Sequence, residues 1–422
     1  MEEKRSVFLS FLGTGDYKEC VYATDAGHRS NIVMLIQHAL AELFGSKWTD
    51  AYIFTTSTAY NKHWDDLIKE WPSSISPTPN NVHIPDGKNK TEIWEIFQTI
   101  FDTLQPRDEV YFDITHSFRS LPLLAGSLLQ YAKSLKSITV KEIFYGAFES
   151  MPGFRGIATL KEDIPNPADR ISPIFDLSTF SQILDWSDAA YDFIKNGNSK
   201  RLSELTKDDV KSITGETRIE IQELIESIGK LCMDLKTVRG LNIIAGSEAK
   251  DILNKLEQLK NSPHITPLKP ILNELKNSVD NMEQKPNEVR NMLNAVQWCI
   301  DKQMIQEGLT LLQEGILSLL VDGVDKKDLT DKNIREFISG YLQSGRDHDV
   351  ARFGISPEQA AKYKEQLDNH PKRRELGILL KDIASVRNDI NHGGTQKGLA
   401  GSKTFEKNLK KLFDRAKGTV DL

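Results

Sequence analysis

The hydrophobic period of this chain changes once, and that change limits the folds open to it. Through about residue 176, short apolar runs alternate with segments of helical period, the pattern of an α/β domain. Residues 7–12 form an apolar run that stops at Gly13-Thr14-Gly15, as expected of a buried parallel strand entering a tight loop. Ile32, Leu35, Ile36, Ala39, Leu40 and Leu43 predict a helix over 31–44. Strands are expected at 51–55, 82–84, 109–114 and 138–145, with helices through Trp64, Leu67 and Ile68, over 91–104 and over 121–135. Such alternation implies a doubly wound sheet, whose ligands bind at the carboxyl ends of the strands. From Phe180 to the end the period is helical almost throughout, interrupted by turns such as Asn196-Gly197-Asn198 and Lys285-Pro286. The reading is an α/β domain over 1–175, a helical connecting region over 176–285, and a helical C-terminal domain over 286–422. One long helix is expected at 288–320.

Two places in this framework concentrate chemistry. Over 375–392, Leu376, Leu379, Ile383, Val386 and Ile390 recur at helical spacing, and Gly393-Gly394 follows as a stop. Arg387, Asn388, Asn391 and His392 therefore occupy the last turn and a half, and His392 sits at the negative end of the helix dipole. An imidazole can move a proton on or off an RNA 2′-hydroxyl or leaving oxygen, and a guanidinium can hold phosphate as charge builds. An isolated R-x-x-x-x-H string more often marks only an Arg and a His near a helix end. Here the helix end, the intervening Asn residues and basic flanks favour a site: from Lys362 to Leu422, fourteen Lys and Arg face eight Asp and Glu.

The second place is Asp113-Ile114-Thr115-His116-Ser117-Phe118-Arg119-Ser120-Leu121-Pro122. A strand ends at its start and a helix begins at its close, so Thr115, His116 and Arg119 fall where such a sheet binds ligands. Asp, Ser and Thr at such junctions often serve only as caps, which does not account for the Arg. A dinucleotide fingerprint fails: Lys18 stands where the third glycine after Gly13-x-Gly15 belongs, and no acidic residue closes the second strand.

Arg387-Asn388-Asp389-Ile390-Asn391-His392 resembles the R-x-x-x-x-H signature of HEPN ribonucleases. Phe11-Leu12-Gly13-Thr14-Gly15 with the Asp113–Pro122 run resembles the CARF domain, the CRISPR-associated Rossmann-like sensor of cyclic oligoadenylates. Ile143-Phe144-Tyr145-Gly146-Ala147-Phe148-Glu149 and Pro173-Ile174-Phe175-Asp176-Leu177 extend the likeness to CARF–HEPN accessory ribonucleases of type III CRISPR systems. The resemblance implies catalytic Arg387 and His392, an assisting Asn388, and an active cleft completed across a homodimer. It also implies cyclic oligoadenylate contacts from Gly13, Thr14, Gly15, Thr55, Thr56, Thr115, His116 and Arg119, with single-stranded RNA as substrate.

The remaining features narrow this reading. No His, Asp and Glu cluster has metal-ligand spacing, so neither a metal nor a cofactor is expected. Cys20, Cys232 and Cys299 are scattered and odd in number, which suits a reducing, cytoplasmic setting. The opening apolar run is too short for a signal peptide, and no segment reaches membrane-span length. A net charge of −6 argues against nucleic-acid binding over the whole surface. The rival reading is a ligand-sensing regulator without catalysis that binds DNA or a protein through its helical half. No helix-turn-helix with a basic recognition helix supports it. Hydrolysis of the ligand by the sensor loops, through His116 or the threonines, stays open.

Overall fold

The computed structural model describes residues 4–116, 121–208, 216–259, 268–280, 282, 284–344, 350–393 and 401–420. The chain divides into two compact units, Met1–Leu184 and Asp185–Leu422.

The first unit is built on an eight-stranded sheet in the order β3-β2-β8-β7-β6-β1-β4-β5. The strands are β1 (Ser6–Leu12), β2 (Cys20–Thr24), β3 (Arg29–Val33), β4 (Asp50–Thr55), β5 (Asn80–His83), β6 (Glu109–Asp113), β7 (Thr139–Gly146) and β8 (Ile171–Asp176). β7, β6, β1, β4 and β5 run parallel. All seven residues of β1 are buried, because both faces are covered. Phe8 and Leu12 pack into a core with Leu35, Ile36, Ala39, Leu40 and Leu67. Val7, Leu9 and Phe11 enter the opposite core with Ile96, Ile100, Leu128 and Leu129. The two-residue alternation of the strand thus feeds two cores from one segment, each large apolar side chain contributing roughly 1.5–3 kcal/mol of burial.

The sequence reading misses the far edge of this sheet. β2 and β3 form an antiparallel hairpin in which Thr24 N–H donates to His28 O (2.9 Å) and Gly27 takes a φ of +84°. Residues 31–33, read as the start of a helix, are β3, and the helix begins at Ile36. Helical spacing among Ile32, Leu35 and Ile36 is equally served by a strand, and pairing of Val33 with Cys20 decides the matter. β8 fills the gap between β2, which it meets in parallel, and β7, which it meets antiparallel.

The second unit is helical throughout its regular structure. Segments 176–285 and 286–422 both supply a continuous hydrophobic cluster that runs from Trp186 to Ala416. The single helix expected over 288–320 is instead two helices, Asn291–Asp301 and Ile305–Asp322. Gln303 adopts a φ of +56°, and Met304 N–H donates to Cys299 O (2.8 Å) while Gln303 N–H donates to Ile300 O (3.2 Å). This is the helix-ending pair of bonds that glycine usually serves, so a glutamine there hides the stop from the sequence.

Helix Arg373–Asn391 lies so close to helix Lys332–Ser344 that a Cβ at Gly377 would overlap the Leu342 carbonyl oxygen. Replacing a helix-interior glycine by alanine ordinarily gains up to about 1 kcal/mol. Gly377→Ala is expected to reverse that sign, with a net loss of at least about 1 kcal/mol from overpacking against backbone. Urea unfolding of the variant checks it; a stabilised protein would contradict the packing.

Candidate functional site

Strand order reverses at β1, which has β4 on one side and β6 on the other, and the loops after these three strands converge at their carboxyl ends. Asp113, the last residue of β6, is wholly buried. Its Oδ2 accepts from Ser10 Oγ (2.7 Å), and its Oδ1 accepts from Thr115 Oγ1 (2.6 Å) and Thr115 N–H (3.0 Å). Gln37 Nε2, on the helix after β3, donates to Ser10 Oγ (3.0 Å) and Phe11 O (2.9 Å). Thr115 Oγ1 accepts from Gly146 N–H at the end of β7 (2.8 Å). Burial pushes the Asp113 carboxyl above its usual range, while the Thr115 and Ser10 hydrogen bonds pull the other way.

This network fixes the direction in which the chain leaves β6, and His116 follows at once. A small pocket of about 150 Å³ is lined by Gly13, Thr14, Thr56, Ile84 and His116, among others. The Tyr17 ring lies between two imidazoles, its centroid 4.8 Å from that of His63 and 4.3 Å from that of His116. His63 Nε2 sits 2.8 Å from Gly15 O, and Lys62 Nζ donates to Thr14 O (2.9 Å) and Asp16 Oδ1 (2.6 Å). Glycine is needed at position 13 for space: a Cβ there would stand 2.8 Å from the Tyr17 hydroxyl and 3.2 Å from His116 O. His116 Nε2 is sealed from solvent without a hydrogen-bond partner. Burial, with His63 nearby, pulls the His116 pKa from 6.5 down to about 4, so the ring is neutral at pH 7. The site therefore offers a neutral imidazole, threonine hydroxyls, backbone groups and the Lys62 ammonium, a set suited to a polar ligand with anionic parts.

Gly13, Thr14, Thr56 and His116 line the pocket, and Gly15 borders it through His63. Thr55 is wholly buried and donates its hydroxyl to Asn81 Oδ1 (2.6 Å), while the Thr115 hydroxyl is committed to Asp113 and Gly146. Thr56 caps helix Ser57–Lys69 by accepting from Ala59 N–H (3.3 Å). Arg119 falls outside the described residues. Tyr17, Gln37, Lys62 and His63 were not foreseen; helix Ser57–Lys69 carries Lys62 and His63 over the β1 loop, which no local pattern reveals.

In the helical unit, Arg373–Asn391 buries Leu376, Leu379, Leu380 and Ile383. His392 is its C-cap, with N–H donating to Asn388 O (2.9 Å), and Gly393 takes a φ of +64° with its N–H on Ile390 O (3.0 Å). Arg387 is half-buried, its Nη1 3.9 Å from Glu314 Oε1, and its Nε is sealed without a partner. The other Glu314 oxygen accepts from Arg335, which also donates to Ser318 Oγ (2.9 Å). Asn391 Oδ1 accepts from Gln306 Nε2 (3.2 Å). Asn388 and His392 are exposed. At 3.6 residues per turn, Arg387 and His392 leave the helix about 140° apart, whereas Asn388 and His392 are only about 40° apart. Among the described residues, no three His, Cys, Asp or Glu side chains are grouped to hold a metal ion, and no helix is long and apolar enough to cross a membrane.

Residues 7–149 match the family model described as CRISPR system endoribonuclease Csx1, CARF domain. The chain is also 27% identical over 253 residues to CRISPR-associated protein MJ1674 of Methanocaldococcus jannaschii, an alignment covering 59% of this chain and 35% of that protein. The match thus spans about a third of the relative's length. Residues 7–149 are thus similar to a CARF domain and fold as an α/β sheet domain, and an all-helical region follows.

The buried imidazole has a consequence for stability. Above pH 6.5 His116 is neutral whether the chain is folded or not. Between 6.5 and about 4 the unfolded chain takes up a proton that the folded one refuses, so stability falls as pH falls through that window. The loss should approach 1.4 kcal/mol per pH unit, roughly 3 kcal/mol in all. In His116→Gln this contribution should vanish, seen as a shallower fall in denaturation midpoint from pH 6.5 to 4.5. Parallel curves for the two proteins would refute it.

Proposed function

We propose that this chain is a ligand-switched endoribonuclease of type III CRISPR defence. Its α/β unit senses a cyclic oligoadenylate, and Arg387, His392 and Asn388 cleave single-stranded RNA without a metal. The single observation that carries the catalytic half is the state of Arg387. Its guanidinium is half-buried, its Nε has no partner, and its nearest carboxylate, Glu314, stands off at 3.9 Å and is already engaged by Arg335. Such a guanidinium is held in place yet retains donors for a phosphate, and a phosphate can take them bidentately. His392, exposed at the helix end, supplies or removes the proton at the attacking 2′-hydroxyl or the leaving oxygen, with Asn388 one turn away to orient it.

The split of these side chains between two sides of one helix supports a composite cleft. Arg387 lies toward Glu314, while Asn388 and His392 lie on the exposed side, where a second copy of the chain can approach. A homodimer brings two such pairs together, and its symmetry suits a symmetric cyclic ligand in the sensor loops. Ligand binding at the strand ends shifts the population of dimers in which the two helix ends meet productively. A single strand is the preferred substrate because in-line attack by the 2′-hydroxyl requires freedom that a duplex withholds.

The purified protein should cleave single-stranded RNA in EDTA when a cyclic oligoadenylate of the right ring size is added, and far more slowly without it. Arg387→Ala and His392→Ala should each lower the rate by about 10²–10⁴-fold while the CARF unit still binds ligand. Cleavage that survives both substitutions would remove these residues from the chemistry. Salt-sensitive DNA binding with no RNA cleavage under any ligand would instead favour the regulator.

A further inference from the structure

The helix that carries Asn388 and His392 has a second polar feature at its opposite end. Positions 374, 378, 381, 385, 388 and 392 recur at intervals of four and three, and all six residues are exposed. They form one ridge: Arg374, Ile378, Lys381, Ser385, Asn388 and His392. At its start the ridge borders a cleft of about 640 Å³ between helix Arg373–Asn391 and the end of helix Lys332–Ser344. Four of its lining residues are basic, His370, Arg373, Arg374 and Lys381, against a single carboxylate, Glu375. Arg373 is engaged by Asp368 (3.0 Å) and lies over the Tyr341 ring, 4.8 Å from its centroid. Among the described residues Arg374 and Lys381 have no ion-pair partner, and both occupy exposed positions.

We infer that this cleft is a backbone subsite for the RNA strand whose scissile phosphate sits at His392, an assignment that rests on the ribonuclease reading. Lys381 lies eleven residues and Arg374 eighteen residues before His392, about 16 Å and about 27 Å along the helix axis. A strand rising about 3.4 Å per nucleotide would cover those distances in roughly five and eight nucleotides. The ridge itself carries no acidic side chain, and Glu375 is the one carboxylate among the residues that line the cleft at its start. A protein partner is the less fitting occupant: Ile378 is the one large apolar side chain on the ridge, and apolar anchors dominate protein–protein contacts.

The test uses the full chain and a 2′-O-methyl single strand of about twelve nucleotides, which binds but lacks the attacking hydroxyl. For the double variant Arg374→Gln/Lys381→Gln, affinity at low salt should fall about tenfold or more. The slope of log K against log salt should lessen by about 1.4, or 0.7 per lost phosphate contact. Glu375→Gln should tighten binding, since it removes the cleft's carboxylate. A trinucleotide, too short to span the ridge, should bind the double variant and the unaltered protein alike. Both substituted side chains are exposed, so the variant's thermal unfolding should match that of the unaltered protein. An unchanged salt slope in the folded double variant overturns the subsite, whether or not the chain cleaves RNA. A reduced slope with no cleavage of ordinary RNA upholds the subsite and counts against the nuclease.

Discussion

Asp113 ends a strand in the middle of the sheet with its carboxyl group wholly shut off from water, and the carboxyl-end face of the sheet is organised around satisfying it. An unpaired buried carboxylate costs several kcal/mol, and hydrogen bonds to charged groups return about 1.5–3 kcal/mol each. Ser10 from β1 and Thr115 from the following loop meet that need directly. Gln37 and Gly146 then tie the helix after β3 and the end of β7 to the same cluster. Four segments distant in sequence are held together by one side chain's demand for donors. The backbone turn that results delivers His116 against Tyr17, and Gly13 leaves the room in which they meet.

The helical unit holds a half-buried charge more loosely. Arg387 is on the margin of the core, where a guanidinium without a carboxylate would be poorly solvated. Glu314 is near enough to hold it but is drawn off by Arg335, which is itself anchored to Ser318. A closer, bidentate pair would fix Arg387 more firmly and leave fewer donors for phosphate. The same helix presents a different character on its outer ridge, where basic residues at one end lead to Asn388 and His392 at the other. Burial on one side and charge on the other come from a single amphipathic pattern.

How much of this was legible in the sequence differs from one element to another. The central strands β1, β4 and β6 were readable because a strand buried on both faces must be apolar at most positions, as β1 is. The β2–β3 hairpin was not, because an edge strand with only Ser30 and Val33 buried carries too weak a pattern to displace a helical one. The break near residue 303 was hidden because glutamine, not glycine, takes the left-handed turn. Gly393 does what its position promised, accepting that conformation at the end of helix Arg373–Asn391. Thr55 and Thr115 stand among the ligand contacts that the resemblance to CARF domains implies, and their hydroxyls have partners inside the protein. Only the packing reveals which hydroxyls are already taken.

By itself, the sequence determined the two-part architecture, the placement of a polar loop after β6 and the position of Arg387 and His392 at a helix end. Each of these follows from local periodicity or from a residue's intrinsic backbone preference, which neighbouring residues carry in full. The tertiary structure alone decided that Tyr17, Lys62 and His63 join the Gly13 loop and that Glu314 and Arg335 stand behind Arg387. Those contacts join segments tens of residues apart, and they exist only because hydrophobic cores on both faces of the sheet, and one through the helices, bring the segments together. Periodicity says which face of an element is buried; it does not say against what.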